Sequence, residues 1–367
     1  MRMFLFCLAV TVHAAELPRP SGAFAVGRTT MRVVDASRAE PFTDDPNDHR
    51  EMLLHVWYPA ASDAGAAAPY VEGIGDDDAF RATYKFVGLE RLRAVQTHAT
   101  AGAPLSSARK RYPVILFSHG LGMVSFLYSA LLENLASQGY VVIGVEHPYF
   151  ASNFQFPDGH VVKRASRRQF LGADATPEQQ AAMTRIREEE AIVQAHDLVF
   201  VLDRLATVFP GRLDRSSIGV FGHSRGGFAA PHACRLDARF KACLNLDGYR
   251  LTEEVMKNGI RQPYMHIEEV DAEWTDAELA EQRATFARMG GGAYHVVVAG
   301  AKHMSFSDAP LLAPESYPNI TIDARRALEI TNTYVLAFFD RFLRGQKSPL
   351  LDGRRAFPEA TFERVTR

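Results

Sequence analysis

The stretch "SIGVFGHSRGGFAAP", residues 217–231, decides how the rest of the chain is read. A short apolar run enters a Gly-x-Ser-x-Gly, Gly222 to Gly226, and small residues follow. The run has the length and content of a buried strand, and "GGFAA" has the small residues of a helix start packed close to its neighbours. A turn this tight crowds its own backbone, and glycines at 222 and 226 relieve that crowding. Ser224 is therefore expected at the carboxyl end of a central strand, above the N-terminus of a helix, where a hydroxyl can act as a nucleophile. A Gly-x-Ser-x-Gly by itself is weak evidence, and its context has to carry the reading.

That context is a repeating pattern of strands and helices. "YPVILFSHG", "YVVIGVEHP", "KACLNLDG", "PYMHIEE" and "AYHVVVAG" are nearly continuous apolar runs, as expected of parallel strands buried on both faces. "RTTMRVVDA" and "EMLLHVWYPA", separated by the turn-rich "EPFTDDPNDH", predict an antiparallel pair at the N-terminal side. Helices are expected over "SFLYSALLENLASQG", over residues 176–207 with Thr176 as cap and Pro177 in the first turn, and over "IDARRALEITNTYVLAFFDRFLRG" closed by Gly345. Alternation of this kind predicts an α/β fold, one mostly parallel sheet with helices on both faces. No repeat or low-complexity linker divides the chain, so residues 15–367 read as one catalytic domain.

Composition narrows the class. Of 367 residues 47% are hydrophobic and 23% charged, which suits an ordinary folded chain, and the net charge of −2 gives no reason to expect nucleic acid or an anionic membrane as partner. Residues 1–14 carry Arg2, an apolar run and then small residues, the pattern of a secretory signal cleaved before Ala15, which predicts a secreted or periplasmic protein. The run is too short to span a bilayer, and no other segment reaches the required ~20 apolar residues. Cys234 and Cys243 remain after such cleavage, and either a disulfide or two buried thiols is compatible with their spacing. "GIGDDD" lacks calcium-loop spacing, no zinc or phosphate motif is present, and no metal or cofactor is expected. "KRASRRQ" at residues 163–169 reads as a solvated loop. "MVSFLY" and "APLLAP" read as packed core or, alternatively, as apolar surface for peripheral lipid contact.

A serine needs a base, and in this architecture the order is Ser, then Asp or Glu, then His. Four histidines follow Ser224. His232 is too close in sequence, and His266 and His295 lie within strand patterns. His303, in the loop "AKHMSFSD" beyond the last apolar strand, is the expected base. For the acid, Asp247 at the sharp stop of "LNLDG" is favoured over the Glu268, Glu269 and Asp271 cluster, which looks like a solvated loop. An oxyanion hole needs two N–H donors. Arg225, the residue after the nucleophile, supplies one; Leu121 in "FSHGLGM", with Gly122 as the alternative, supplies the other.

Taken as a block, "FSHGLG…YSALLENLASQGYVVIGVEHPYFAS", "GHSRGG", "LNLDG" and "KHMSFSD" resemble the plasma-type platelet-activating factor acetylhydrolase family, with similarity running from "GAFAVGRTTMRV" to the loop around His303. The resemblance implies an α/β-hydrolase fold, no metal, and hydrolysis of short-acyl esters. It also implies Ser224 as nucleophile, Asp247 as acid, His303 as base, and the Leu121 and Arg225 N–H groups as oxyanion donors. Three departures bear on the substrate: Arg225 stands where that family is apolar, "EHPY" from Glu146 to Tyr149 replaces its "EHRD", and Tyr249 with Arg250 follows the acid. Simple carboxylesters, polyesters, or peptidase and acyltransferase chemistry on the same residues are the alternatives, with a non-catalytic lipid-binding protein further off.

Overall fold

The apolar runs become neighbours in one ten-stranded sheet. The computed structural model describes residues 15–75, 78–165, 175–248, 250–270 and 275–365. Its strands are β1 (Ala25–Ala39), β2 (His49–Ala60), β3 (Ala99–Ala101), β4 (Tyr112–Ser118), β5 (Val141–Glu146), a small hairpin of β6 (Phe154–Gln155) and β7 (Val161–Val162), then β8 (Leu213–His223), β9 (Phe240–Leu246), β10 (Tyr264–Glu269), β11 (Ala293–Val298) and β12 (Ala360–Val365). The order across the large sheet is β12-β11-β10-β9-β8-β4-β5-β2-β1-β3. The six expected core strands, β4, β5 and β8 to β11, are all parallel. The expected N-terminal pair, β1 and β2, is antiparallel and joins the sheet through β2 against β5. The sequence reading did not anticipate β12, which closes the far edge antiparallel to β11.

The helices are α1 (Asp78–Thr83), α2 (Leu89–Arg93), α3 (Ser129–Ser137), α4 (Pro177–Arg204), α5 (Arg225–Leu236), α6 (Glu253–Asn258), α7 (Asp276–Ala287), α8 (Ala309–Leu312) and α9 (Ala324–Arg344). The predicted ends of the long ones have physical causes. Thr176 and Gln179 form a reciprocal capping box at α4, and Gly345 closes α9 in the left-handed conformation. Because side chains alternate along a strand, β4 feeds two cores. Ile115 and Phe117 pack with Leu131 and Leu135 of α3 and Phe338 and Phe339 of α9. Val114 and Leu116 pack on the other face with Leu198, Val201 and Leu202 of α4.

One sequence expectation is corrected here, and two alternatives that the sequence left open are decided. Glu268 is not in a solvated loop: it is buried in β10 and bonds His295 of β11 at 2.5 Å. "MVSFLY" is wholly buried, and "APLLAP" is largely so, leaving these stretches no continuous apolar face for lipid. Cys234 and Cys243 are free, buried thiols. Residues 1–14, Asp271 and Tyr249 lie outside the described residues, as do Ser166 to Gln169 of the basic cluster. Among the described residues, no helix is long and apolar enough to cross a membrane.

Candidate active site

The parallel strands all end at one edge, so the loops that follow them converge there. Ser224 connects β8 to α5 with φ 55° and ψ −116°, a left-handed conformation that a serine adopts only when its surroundings force it. The neighbouring glycines show what does the forcing. A Cβ at Gly226 would sit 2.0 Å from the carbonyl oxygen of Ser118, and one at Gly222 would sit 2.2 Å from the carbonyl carbon of Gly226. Strand, turn and helix touch backbone to backbone, and the Ser224 N–H is held by the Leu246 carbonyl at 2.8 Å. The strained turn leaves the Ser224 side chain facing a cavity of about 340 Å³.

His303 begins a short 3-10 turn after β11. Its Nδ1 lies 2.5 Å from Asp247 Oδ2 and its Nε2 lies 2.9 Å from Ser224 Oγ. Asp247 follows β9, also at positive φ (51°), and its second oxygen accepts the Glu269 N–H at 3.0 Å. Burial pushes the Asp247 carboxyl up, but its bond to His303 and the Glu269 N–H pull it further down, so it sits below the usual carboxylate range. An ionised Asp247 fixes the proton on His303 Nδ1 and leaves Nε2 to accept from the serine hydroxyl. His223 holds the ring from behind: its Nε2–H donates to the His303 carbonyl at 2.8 Å, and its Nδ1 accepts from the Tyr128 hydroxyl at 2.7 Å. Burial, and next the nearby His303, lower His223 to about 3, so it stays neutral and these roles do not exchange. The ligating atoms of His223, Asp247 and His303 lie within 4.8 Å of one another, but these hydrogen bonds already employ them.

The two residues expected to supply oxyanion N–H groups, Leu121 and Arg225, line the same cavity. The alternative, Gly122, spends its N–H on the Phe150 carbonyl at 2.7 Å. Among the described residues no such bond takes up the N–H of Leu121 or of Arg225, and both residues line the cavity with Ser224. The rejected candidates are occupied elsewhere: His232 bonds Thr252 at 3.0 Å, and Glu269 pairs with Lys302 at 3.0 Å.

Two features were not legible in the sequence. Beneath the elbow runs a second chain of the same residue types: Ser118 Oγ to His147 Nε2 at 3.0 Å, and His147 Nδ1 to Asp197 at 2.8 Å. All three are fully buried, and Asp197 also pairs with Arg50 and Arg38. No substrate reaches them, so this chain braces β4 and α4 under the oxyanion loop. The second feature is the Arg225 side chain. It turns away from the solvent, pairs with Glu190 of α4 and lies 5.7 Å from the Phe150 ring centre. Its charge thus locks the nucleophile helix to α4, while the residue still lines the cavity beside Ser224. Glu190→Leu leaves a buried guanidinium without its carboxylate, and a loss of about 3–5 kcal/mol is expected in chemical denaturation. The double variant Glu190→Leu, Arg225→Leu should recover much of that loss, since replacing a whole buried pair costs far less than breaking it.

A family model described as platelet-activating factor acetylhydrolase, isoform II, matches residues 9–208 and 177–349. A probable 1-alkyl-2-acetylglycerophosphocholine esterase of Arthroderma benhamiae is 25% identical, over 94% of this chain and 93% of its own length. The platelet-activating factor acetylhydrolase of Canis lupus familiaris is 22% identical, over 91% of this chain and 79% of its own. Among solved structures, a ferulic acid esterase from Streptomyces cinnamoneus superposes with a TM-score of 0.77 at 34% identity, covering 95% of this chain and 99% of that one. All of these relatives are named as ester hydrolases, and the solved one shares nearly the whole fold. The chain is thus an α/β-hydrolase-fold serine esterase that belongs to the platelet-activating factor acetylhydrolase, isoform II, family.

Proposed function

We propose that the protein hydrolyses short-acyl carboxylic esters, with Ser224 as nucleophile, His303 as base and Asp247 as the acid that orients it. The observation that carries this reading is the continuous chain from Ser224 Oγ through His303 to Asp247 Oδ2, at 2.9 Å and 2.5 Å, on a strained turn facing the cavity. Ser224 Oγ attacks the ester carbonyl while its proton passes to His303 Nε2. The oxyanion that forms meets the N–H groups of Leu121 and Arg225, which need no reorganisation to receive it. The carbon–oxygen bond to the alcohol breaks, and His303 returns the proton to the departing oxygen. Water then repeats the sequence on the acyl-enzyme and releases the acid.

The modest cavity favours small acyl groups. Relatives named for acetyl esters of glycerophosphocholine support a phospholipid with a short acyl chain; the whole-chain likeness to a ferulic acid esterase at 34% identity supports a simple carboxylester. The first 14 residues support export, and one sheet spanning residues 25–365 supports a single catalytic domain after them. A p-nitrophenyl ester series, run beside a 1-alkyl-2-acetyl phospholipid and a methyl ferulate, tests the substrate class. Acetate to butyrate should have the highest kcat/KM, and a maximum at long acyl chains would overturn the short-acyl reading. A fluorophosphonate should label the peptide containing Ser224; failure to label folded protein would overturn the nucleophile.

A further inference from the structure

The cavity around Ser224, of about 340 Å³, adjoins a second one of about 450 Å³, and the two share Arg187, Phe228 and Arg250. Of these shared residues only Phe228 is apolar, and it is 5% exposed. We propose, on the basis of the short-acyl reading above, that the Phe228 ring is the wall between the two cavities and sets the length of acyl chain the enzyme accepts.

Phe228 lies on α5 one turn beyond the nucleophile, and its N–H donates to the Ser224 carbonyl at 3.0 Å. Helical side chains lean toward the N-terminus of their helix, so this ring leans toward the Ser224 end. It takes no part in the two large cores. It forms a small cluster of its own with Ala191 of α4 and Ala229, two residues too small to account for a phenylalanine there. The ring cannot back away, because α5 is fixed through its backbone. A Cβ on Gly227 would stand 2.0 Å from Asn245 Oδ1, and one on Gly248 would stand 2.5 Å from the Ser224 carbonyl oxygen.

The second cavity has apolar surface that a longer chain could use. Leu251 is buried in its lining and Met256 half-buried, while Glu253, Lys257, Glu281 and Arg288 are exposed. A chain that passed Phe228 would bury methylenes against Leu251 and Met256 and leave the charged groups in water. Each methylene so buried is worth about fourfold in kcat/KM. With the ring in place a chain longer than the first cavity reaches no such surface and gains nothing by its length.

The test is the kcat/KM of p-nitrophenyl acetate, butyrate, hexanoate and octanoate in the wild type and in Phe228→Ala, Phe228→Leu and Phe228→Trp. The ratio of octanoate to acetate should rise about tenfold or more in Phe228→Ala and by less in Phe228→Leu. In Phe228→Trp, which thickens the wall, the ratio of butyrate to acetate should fall. A merely structural role for the ring would lower all four esters together and leave these ratios unmoved. Ratios in Phe228→Ala and Phe228→Leu equal to those of the wild type would overturn the inference while leaving the short-acyl reading intact. A wild-type maximum at octanoate would overturn both, since the second cavity would then already be open to the chain. Phe228→Leu keeps a large apolar side chain, so it decides the matter where Phe228→Ala fails to fold.

Discussion

Ser224→Ala should lower kcat on p-nitrophenyl acetate by about 10^4- to 10^6-fold, with KM changed little. The hydroxyl is the atom that forms the acyl bond, and no other nucleophile shares its position. Among the described residues, the other serine bonded to a histidine is Ser118, and it is sealed under the elbow with no exposed surface. The residual rate in the variant belongs to the Leu121 and Arg225 N–H groups acting on a bound ester attacked by water. Wild-type rates in Ser224→Ala would show that the chemistry happens elsewhere. The variant should fold normally, because the elbow is held by backbone contacts at Gly222 and Gly226, not by the hydroxyl.

Asp247→Asn should cost about 10^4-fold in kcat for a different reason. The amide keeps the shape of the side chain but can offer an N–H to His303 Nδ1. The imidazole proton then moves to Nε2, and the atom facing Ser224 Oγ at 2.9 Å can no longer accept. Glu268→Gln is the matched control: its carboxylate serves His295, so kcat should stay within a few-fold of wild type. A collapse in Glu268→Gln with activity retained in Asp247→Asn would reverse the assignment. The pH dependence follows in sign. The Asp247 carboxyl is lowered in the fold, so its contribution is complete above the ordinary carboxylate range and lost only as pH falls through its lowered folded value. Ordinary carboxyls therefore take up protons before Asp247 does, so the contribution of Asp247 to kcat should persist as pH falls through the ordinary carboxylate range, which a kcat–pH profile checks.

Residues near one another in sequence, or governed by a strong local rule, were legible before any coordinates. The elbow depends on glycines at fixed offsets, and the long helices on a capping box and a left-handed glycine. Ser224, Asp247 and His303 were readable because each follows an apolar run that ends at the same edge of the sheet. What could not be read was pairing across the fold. Arg225 finds Glu190, 35 positions earlier, only because α4 lies against α5. Ser118, His147 and Asp197 come from separate elements 29 and 50 positions apart, and nothing local marks them as a chain. Strand β12 was missed because a short, partly charged edge segment, "ATFERV", offers neither a long apolar run nor clean alternation.

The order of strands has one more consequence. The oxyanion loop, the elbow, the acid and the base follow β4, β8, β9 and β11, and β10 must lie between the last two. Ser224 and His303 are 79 residues apart in the chain, so their hydrogen bond reports the assembly of the four parallel strands β8 to β11. Parallel pairings over such separations form late, after much loop entropy has been lost. Catalysis in this protein is therefore a property of the finished sheet: a nicked or truncated chain could keep its helices and still have no active site.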